Sequence, residues 1–519
     1  MPYAIDLFCG AGGFSEGILQ AGFDIVFSSD KSPMVQETYT NRHKQLGLID
    51  GVDTHFELAD IKELTSDFIF ETINSLKYGN IFKSGSIDAI FGGPPCQGFS
   101  RLGKRDTSDP RNMLFHEYLR LIKDIRPKYV VMENVTGILD MQMLDFPSVV
   151  NKNYTGQHLV PYILESELQE LEYTVIDMKV LNAADFGVPQ QRNRAIFLAY
   201  RNDVHPLSYP QPINKLVTVH DALGDLYPER NYSTEYSQKC ISGRTHKKGT
   251  SLPIKRQKIT NMELSKHDIT VTERFSLYHE GENRRKALDR IKSEGIDLLE
   301  ITPDLFFETL FQINKDHNSN VIQEVLTQFD LNKEIDFSDQ WLNNTNKQLS
   351  LINKLSKESS SDLELKNAFL SLSRRINLDY PATVDFWNKV KDLLNKKMTK
   401  NELQQRLFDG DIDEDLANAL FTKKGIRSRL DSNKVSPTMV TLPDDYIHPY
   451  FNRILTVREM ARFQSFDDSF EFLGKRTTGG DKRALETPQF TQVGNAIPPL
   501  LAKAIANEVK KALEMNLIN

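Results

Sequence analysis

Short β-rich segments alternate with helix-like segments over the first 200 residues of this 519-residue chain. The segments that read as strands are 3–8, 24–30, 55–60, 87–93, 129–135, 174–181 and 194–200. Residues 109–127 read as a helix, because they open on Asp-Pro, place their apolar side chains on one face and stop before a proline. Strands and helices in alternation predict an α/β fold with a doubly wound, mostly parallel sheet.

A long polar region separates this α/β part from the end of the chain. It begins near residue 206 and reaches about residue 425, after which the sequence becomes more apolar. The final segment, "QVGNAIPPLLAKAIANEVKKAL", reads as a helix entered through two prolines. We therefore predict a first domain at 1–205, a second domain with its hinge at 206–485, and a segment at 486–519 that returns to the first domain.

Composition and charge restrict the class of protein. Hydrophobic residues make up 39% and charged residues 26% of the chain, which is typical of a globular protein. Cys9, Cys96 and Cys240 are odd in number and widely spaced, so we predict no disulfide framework and no metal site, and a reducing, cytoplasmic compartment. No basic leader and no apolar stretch of roughly 20 residues is present, which predicts neither export nor a membrane anchor. The net charge of −7 leaves a nucleic-acid partner open, because phosphate binding depends on a local basic surface and not on the total charge.

The carboxyl ends of the predicted strands carry residues suited to a ligand site, since open α/β sheets bind ligands there. These residues are Gly10, Gly12 and Gly13, then Asp30 and Asp60. Glycines let the backbone approach a ligand, and a carboxylate at Asp30 can hold ribose hydroxyls. Ser15 stands where a dinucleotide fingerprint has Gly or Ala, which disfavours NAD as the ligand. Adenosyl ligands that have no pyrophosphate meet the requirements of this loop too. The alternative is a plain tight turn with Asp30 as a helix cap.

One cysteine is set in an unusually stiff segment, "GGPPCQGFS". Pro94 and Pro95 forbid helix before Cys96, and Gly98 permits a sharp turn after it, so we predict that the thiol is presented at a rim. A presented thiol is a candidate nucleophile. The alternative is that Cys96 is a small buried hydrophobic residue.

Five motifs together resemble one family, the DNA (cytosine-5) methyltransferases of the bacterial modification-enzyme type. They are "DLFCGAGGFSEG", "GGPPCQGFS", "ENV" at 133–135, "QQRNR" at 190–194 and "QVGNAIPPLLAKAI", in the family's order. The resemblance covers residues 1–205 and about 425–519. Residues 206–425 take the place of the variable target-recognition domain. The resemblance implies a Rossmann-like fold that uses S-adenosylmethionine.

The resemblance also implies a reaction and its residues. A methyl group would pass to C5 of a cytosine flipped out of a specific duplex sequence, through an adduct between Cys96 and C6. Glu133 would hydrogen bond N3 and the exocyclic amine, while Arg192 and Arg194 would hold O2 and a phosphate. The implied cofactor residues are Phe8 against the adenine, Gly10, Gly12 and Gly13, Asp30 at the ribose, Asp60 at the adenine amine, and Pro95, Leu114 and Asn495. Two departures concern ligand geometry: position 30 is Asp where many relatives have Glu, and Ala59 stands where Gly is common.

A basic run is the candidate phosphate contact. Residues 244–258 contain six Lys or Arg and no acid. The alternative is a solvated flexible loop. We expect the chain to act as a monomer on double-stranded DNA, associated with the nucleoid, with a restriction endonuclease or defence-system proteins as partners.

Two rival functions stay open at this point. A tRNA cytosine-5 methyltransferase of the same fold would carry a small recognition region, whereas the region here exceeds two hundred residues. A catalytically inactive DNA-binding protein on this fold would have no need for the thiol of Cys96.

Overall fold

The computed structural model describes most of the chain in two compact units. The described residues are 1–95, 113–213, 215–227, 229, 232–328, 355, 362–422, 427–478 and 485–517. The first unit comprises Met1–Leu264, Asp431–Pro443 and Leu455–Asn519, and the second comprises Ser265–Leu430 and Asp444–Ile454. Cys96 and the start of the helix predicted at 109–127 lie outside the described residues.

A seven-stranded sheet forms the centre of the first unit. Its strands are β1 (Tyr3–Leu7), β2 (Asp24–Asp30), β3 (His55–Leu58), β4 (Ala89–Gly92), β5 (Tyr129–Asn134), β8 (Tyr173–Asn182) and β9 (Asn193–Arg201). A separate hairpin joins β6 (Gln142–Leu144) and β7 (Gln157–Leu159). The sheet order is β3-β2-β1-β4-β5-β9-β8, with β1 to β5 parallel and β9 antiparallel to both of its neighbours. The predicted doubly wound, mostly parallel sheet is confirmed.

Helices cover the sheet and complete the unit. The helices that follow the strands are α1 (Gly13–Ala21), α2 (Pro33–Leu46), α3 (Ser66–Asn74), α4 (Leu114–Ile125) and α5 (Val160–Glu170). The other helices of this unit are Val219–Leu223, Glu235–Ser242, Val457–Phe463, Gln489–Asn495 and the C-terminal helix Pro499–Asn516. Short 3-10 turns lie at Ile61–Glu63, Thr136–Asp140, Ala183–Phe186 and Gly224–Leu226. The predicted C-terminal helix begins at Pro499, as the fixed φ of proline favours.

The two faces of the sheet pack against two separate apolar cores. On β5, Val130 and Met132 belong to one core, which also holds the buried faces of α3, α4 and α5. Tyr129 and Val131 belong to the other core, which holds α1 and the C-terminal helix. Alternate residues of a strand point to opposite faces, so a strand buried on both faces reads as a continuous apolar run. This explains why "YVVM" shows no alternation of polar and apolar residues.

Two glycines of α1 allow the returning C-terminal segment to pack closely. A Cβ on Gly13 would lie 2.3 Å from the carbonyl oxygen of Ile497, and a Cβ on Gly17 would lie 2.5 Å from the Cβ of Ala502. These separations are too short for any side chain, so α1 accepts the C-terminal helix only where it lacks side chains. The last helix of the unit therefore packs directly on its first helix.

We expect Gly17→Ala to destabilise the protein by about 1–3 kcal/mol, because the added methyl group overpacks this helix contact. Gly17 has ordinary helical backbone, so the loss measures packing without a contribution from backbone strain. The midpoint of urea unfolding, compared between the two proteins, gives the change. An unchanged midpoint would contradict the close approach of the two helices.

The second unit is mainly helical. Its helices are Ile269–Ser276, Arg284–Glu294, Leu298–Ile301, Pro303–Ile313, Lys315–Leu326, Asp362–Ile376, Tyr380–Val390, Lys400–Phe408 and Glu414–Phe421. A short parallel pair joins β10 (Ser428–Arg429) and β11 (Tyr446–Ile447), and a 3-10 turn lies at Pro443–Asp445. Buried Arg429 donates to the carbonyl oxygens of Phe275 (2.8 Å), Tyr278 (2.7 Å) and His448 (2.9 Å), which ties the pair to the helices.

The boundaries of the compact units differ from the predicted domain boundaries. Residues 206–264, 431–443 and 455–485 belong to the first unit, although the sequence grouped them with the second domain. The reason is that they pack on the sheet unit, which local composition does not reveal. The assignment of catalysis and recognition to separate domains stays a prediction. None of the helices in the described part of the chain is both long and apolar enough to cross a membrane.

Candidate functional site

The loop after β1 is tied to the end of β2. Phe8 and Gly10 both adopt left-handed backbone, with φ of 56° and 52°, which turns the chain sharply away from the sheet. The N–H of Gly10 donates to Asp30 at 3.2 Å, and the N–H of Ser32 donates to the other carboxylate oxygen at 2.9 Å. Burial raises the pKa of Asp30. The predicted glycine loop and the predicted ribose carboxylate are therefore brought into contact.

The three glycines of this loop have different surroundings. A Cβ on Gly10 would meet no atom within 4 Å, whereas a Cβ on Gly12 would lie 3.2 Å from the ring of Tyr39. Gly13 faces the backbone of Ile497, as described above. Only Gly10 leaves open space for a ligand, while Gly12 and Gly13 serve close packing.

The other predicted cofactor residues have varied surroundings. Phe8 is partly buried against the core that contains Leu114, and Leu114 itself is buried in that core. Asp60 caps the turn Ile61–Glu63 by accepting from the N–H of Lys62 at 3.1 Å. Pro95 and Asn495 are exposed. Leu114 thus has a structural role in the core. Phe8, Asp60, Pro95 and Asn495 keep accessible surface for contact with a ligand.

The ends of β4 and β5 place a carboxylate beside the segment that leads to Cys96. Glu133 forms an ion pair with Arg194, in which Nε and Oε1 are 2.6 Å apart and both side chains are largely buried. A Cβ on Gly93 would lie 3.2 Å from Oε2 of Glu133, so the glycine leaves room for the carboxylate. The side-chain amide of Asn134 donates to the carbonyl oxygen of Pro94 at 3.2 Å. Glu133, Arg194 and Gly93–Pro94 therefore meet at one point.

Arg192 is held differently from Arg194, and its predicted contact with the substrate stays a prediction. Its guanidinium is buried and donates to the carbonyl oxygens of Met439 at 3.1 Å and Gly494 at 2.8 Å. Burial lowers the pKa of Arg192, and the neighbouring Arg194 adds to that effect. Its described hydrogen bonds are with backbone, so it links two returning segments, while Arg194 forms the ion pair with Glu133.

Two residues of the site region were missed by the sequence analysis. Asn134, in the quoted "ENV" motif, fixes Pro94, as described above. Gln190, the first residue of "QQRNR", is fully buried and bonds to the carbonyl oxygen of Phe463 (3.0 Å), to Gln464 (3.0 Å) and to the N–H of Met439 (2.8 Å). Their place inside the motifs was the available signal. Both residues hold loops and do not face open space.

A network of buried polar side chains connects β1, β2, α1 and α2 next to the loop that follows β1. Asp6 of β1 accepts from the hydroxyl of Ser15 at 2.5 Å, and this hydroxyl also bonds to the hydroxyl of Tyr39 at 3.0 Å. The Tyr39 hydroxyl in turn contacts Ser28 at 2.6 Å. Burial raises the pKa of Asp6 to about 7. Ser15, which argued against NAD at the sequence level, therefore has a defined structural role.

We expect the stability of the protein to fall as the pH rises from about 4 to about 7, in part because Asp6 must ionise while buried. A carboxyl group whose pKa is higher in the folded than in the unfolded state favours folding at low pH, and this advantage is lost as the pH passes the folded pKa. Asp6→Asn should remove this dependence and be more stable than the original protein at pH 8 by about 2–4 kcal/mol. Urea unfolding at several pH values gives the comparison; parallel pH profiles for the two proteins would contradict it.

The basic run at 244–258 is only partly available for DNA. Arg244 pairs with Asp467, Lys248 with Asp53, and Arg256 with Asp468. The other three basic residues of the run, Lys247, Lys255 and Lys258, are exposed. Half of the predicted phosphate contacts are thus engaged within the first unit, which a count of charges could not show.

Comparisons with known proteins agree with these features. The model of the family C-5 cytosine-specific DNA methylase matches residues 3–297 and 299–511. The type II methyltransferase M.DdeI of Desulfomicrobium norvegicum is 27% identical over 99% of this chain and 90% of its own length. M.AgeI of Thalassovita gelatinovora is 26% identical over 98% of this chain and 99% of its own length. A solved E. coli structure, described as a DNA modification methyltransferase encoded within a prophage, is 18% identical and covers 99% of this chain and 100% of its own, with a TM-score of 0.54.

Proposed function

This chain belongs to the C-5 cytosine-specific DNA methylase family, and on that premise we propose that it methylates C5 of a cytosine flipped out of a specific duplex sequence. The observation that carries the proposal is the carboxylate of Glu133, which Arg194 holds beside Gly93 and Pro94. The segment continues from these residues directly into Cys96. An acid therefore lies beside the described end of the segment that carries the candidate nucleophile.

The loop after β1 fits S-adenosylmethionine as the methyl donor. Open space at Gly10 gives a ligand access to the backbone, and Asp30 keeps that loop in place while offering carboxylate oxygens to ribose hydroxyls. Phe8 has a partly exposed ring for an adenine, and Asp60 has a carboxylate for its amine. When bound, S-adenosylmethionine supplies an electrophilic methyl group. The residues of the chain position this group.

The chemistry on cytosine needs a nucleophile and an acid. C5 of cytosine is a poor nucleophile, but addition of the Cys96 thiolate to C6 makes C5 enamine-like and able to take the methyl group. This addition moves electrons toward N3, where a hydrogen bond from Glu133 stabilises them. Loss of the C5 proton to water then restores the C5–C6 double bond as the C6–S bond breaks and the thiolate of Cys96 leaves. Arg194 holds Glu133 in place and is available to the cytosine O2.

We propose modification of DNA within a type II restriction-modification system as the biological role. The relatives named above carry that designation, and their similarity extends over almost the whole of this chain. Methylation would then protect DNA from a partner nuclease; phage defence is compatible with the same reaction. Exposed Lys247, Lys255 and Lys258 remain candidates for phosphate contacts.

The test is transfer of a labelled methyl group from S-adenosylmethionine to mixed genomic DNA, with digestion to locate the label. We expect label in 5-methylcytosine, and we expect Cys96→Ala to abolish it. Cys240→Ala is the matched control, because Cys240 is buried on the helix Glu235–Ser242 against Arg244 and is not among the proposed site residues, so the variant should retain transfer. A salt titration of duplex binding should show a steep fall in affinity with salt.

Three results would contradict the proposal. Equal or faster methylation of tRNA would show that RNA, and not DNA, is the substrate. Full activity of Cys96→Ala would show that Cys96 is not the nucleophile. Binding of duplex DNA and S-adenosylmethionine without transfer to any DNA would indicate an inactive binding protein.

A further inference from the structure

One segment of the second unit carries an excess of positive charge. It is the stretch 391–400, "KDLLNKKMTK", called the lysine loop below, and it connects the helix Tyr380–Val390 to the helix Lys400–Phe408. It contains four lysines and one acid, Asp392, in a chain whose net charge is −7. The exposed lysines are Lys391, Lys396, Lys397 and Lys400. The lysine loop is therefore a basic surface on an acidic chain.

These lysines do not neutralise acids of the fold. None of the four forms an ion pair with a residue in the part of the chain that the structure describes. Lys400 lies over the ring of Phe307, 5.6 Å from the ring centre. Lys400 is also the first residue of its helix, where a positive charge opposes the helix dipole, so helix stability does not explain it. In the basic run at 244–258, by contrast, three of the six charges are paired with aspartates.

Two buried asparagines hold the lysine loop in place. The side chain of Asn314 donates to the carbonyl oxygen of Met398 and accepts from the N–H of the same residue, both at 2.9 Å. The side chain of Asn318 donates to Oδ1 of Asn395 at 2.9 Å and accepts from the N–H of that residue at 2.8 Å. The two lysines at 396 and 397 thus lie between two fixed points of the backbone.

The chemistry of the lysine loop favours phosphate groups over base edges. Asn395 and Thr399 have side chains that could read a base, but both are engaged within the fold. Asn395 bonds to Asn318, and the hydroxyl of Thr399 donates to Glu402 at 2.8 Å. The lysine ammonium groups remain, and they are compact positive charges that suit phosphate oxygens. Because the backbone is already fixed, less conformational entropy is lost on binding.

We propose that the lysine loop binds the phosphate backbone of duplex DNA without regard to its sequence. This inference rests on the proposed action on duplex DNA, and it adds a contact that supplies affinity but does not choose the cytosine. Each phosphate that a lysine neutralises releases counterions, so the affinity from this surface falls as salt rises. Such a contact would hold the chain on DNA while it slides to its target.

The test compares the salt dependence of duplex binding by the full chain and two triple variants. The lysine-loop variant combines Lys396→Gln, Lys397→Gln and Lys400→Gln. The control variant combines Lys152→Gln, Lys215→Gln and Lys511→Gln. Each lysine of the control is already paired with a glutamate, and both variants lose the same positive charge. Fluorescence anisotropy of a labelled duplex gives the affinity from about 50 to about 200 mM salt.

We expect the plot of log affinity against log salt to be less steep in the lysine-loop variant by about three, roughly one for each lost contact. Its affinity at the lowest salt should fall about tenfold or more. The slope of the control should change by less than about one. None of the replaced side chains is buried, so both variants should keep the urea midpoint of the original protein. Sequencing of methylated cytosines in genomic DNA should give the same sequence context for all three proteins.

Three results would overturn this inference. Equal changes of slope in the two variants would assign the effect to net charge, and an unchanged slope in the lysine-loop variant would show that the loop does not contact phosphates. A changed sequence context would show that the loop reads bases. In each case, methylation of duplex DNA by the original protein leaves the proposed function intact. If the original protein neither binds nor methylates duplex DNA, the proposed function fails and this inference fails with it.

Discussion

Glu133→Gln should lower the rate of methyl transfer by about 10² to 10⁴ while leaving S-adenosylmethionine bound. Glutamine occupies the same volume and can accept from Arg194, but it cannot carry the proton or the charge that the N3 position requires. The ion pair of 2.6 Å with Arg194 places the change at the proposed cytosine contact and not in the apolar core. Single-turnover methylation of a duplex oligonucleotide measures the rate of the chemical step.

Glu57→Gln is the matched control for this experiment. Glu57 also lies on a strand of the sheet, β3, and its carboxylate also has a side-chain hydrogen-bond partner, His55 at 2.7 Å. It is not among the residues proposed for the substrate or cofactor, so the rate should be unchanged. Loss of activity in both variants would show that the effect of Glu133→Gln is a general one of charge or folding, and would contradict the assigned role.

Arg462→Met should destabilise the protein by about 3–5 kcal/mol. Arg462 is fully buried and donates to Asp468 at 2.9 and 2.7 Å, to the carbonyl oxygen of Ala222 at 2.8 Å, and to Asp225. Methionine fills much of the space but leaves the carboxylate of Asp468 buried, with Arg256 at 3.0 Å as its remaining partner. Urea unfolding gives the loss. Lys511→Met, which removes an exposed lysine paired with Glu508, should change stability by less than about 1 kcal/mol.

The pH dependence of this variant separates charge from packing. Burial alone would raise the pKa of Asp468, but the ion pair with Arg462 and the other neighbouring arginines lower it below its usual range. In the original protein this stabilisation is present above the unfolded pKa and is lost as the pH falls through the lowered folded pKa. In Arg462→Met, Asp468 keeps Arg256 but loses both hydrogen bonds from Arg462, so protonation removes a less well stabilised buried charge and the deficit relative to the original protein should shrink at low pH. A deficit that is constant with pH would assign the loss to packing.

The sheet of the first unit could be predicted because its strands are apolar on both faces and are followed by turns. Tyr129 to Met132 form such a run, and the prediction of β5 holds to within one residue. The small hairpin of β6 and β7 was not predicted, since Gln142–Leu144 and Gln157–Leu159 are three-residue strands with little apolar pattern. The boundary of the first unit also escaped prediction, because residues 206–264 owe their position to contacts with distant segments.

The site could be predicted as far as local sequence determines it. The contact between Gly10 and Asp30 follows from a parallel sheet, whose carboxyl ends lie at one edge. The hydrogen bonds of Arg192 could not be predicted in this way, because it donates to the carbonyl oxygens of Met439 and Gly494, which are far along the chain. For the same reason, the ion pairs of Arg244, Lys248 and Arg256 were invisible in a run that looks uniformly basic. Charge along a sequence does not reveal which charges are already neutralised.

The contact between α1 and the C-terminal helix has a consequence for how this protein is made. During synthesis the apolar face of α1 and one face of the sheet emerge early, but their cover, Pro499–Asn516, is translated much later. Domains generally fold as their own segments leave the ribosome, whereas the first unit cannot complete this core until its C-terminal helix has been translated. A nascent chain halted before Pro499 would expose the core around Ile18 and Phe91 and would be a substrate for chaperones and proteases. Interrupted translation should therefore yield no partly active methyltransferase.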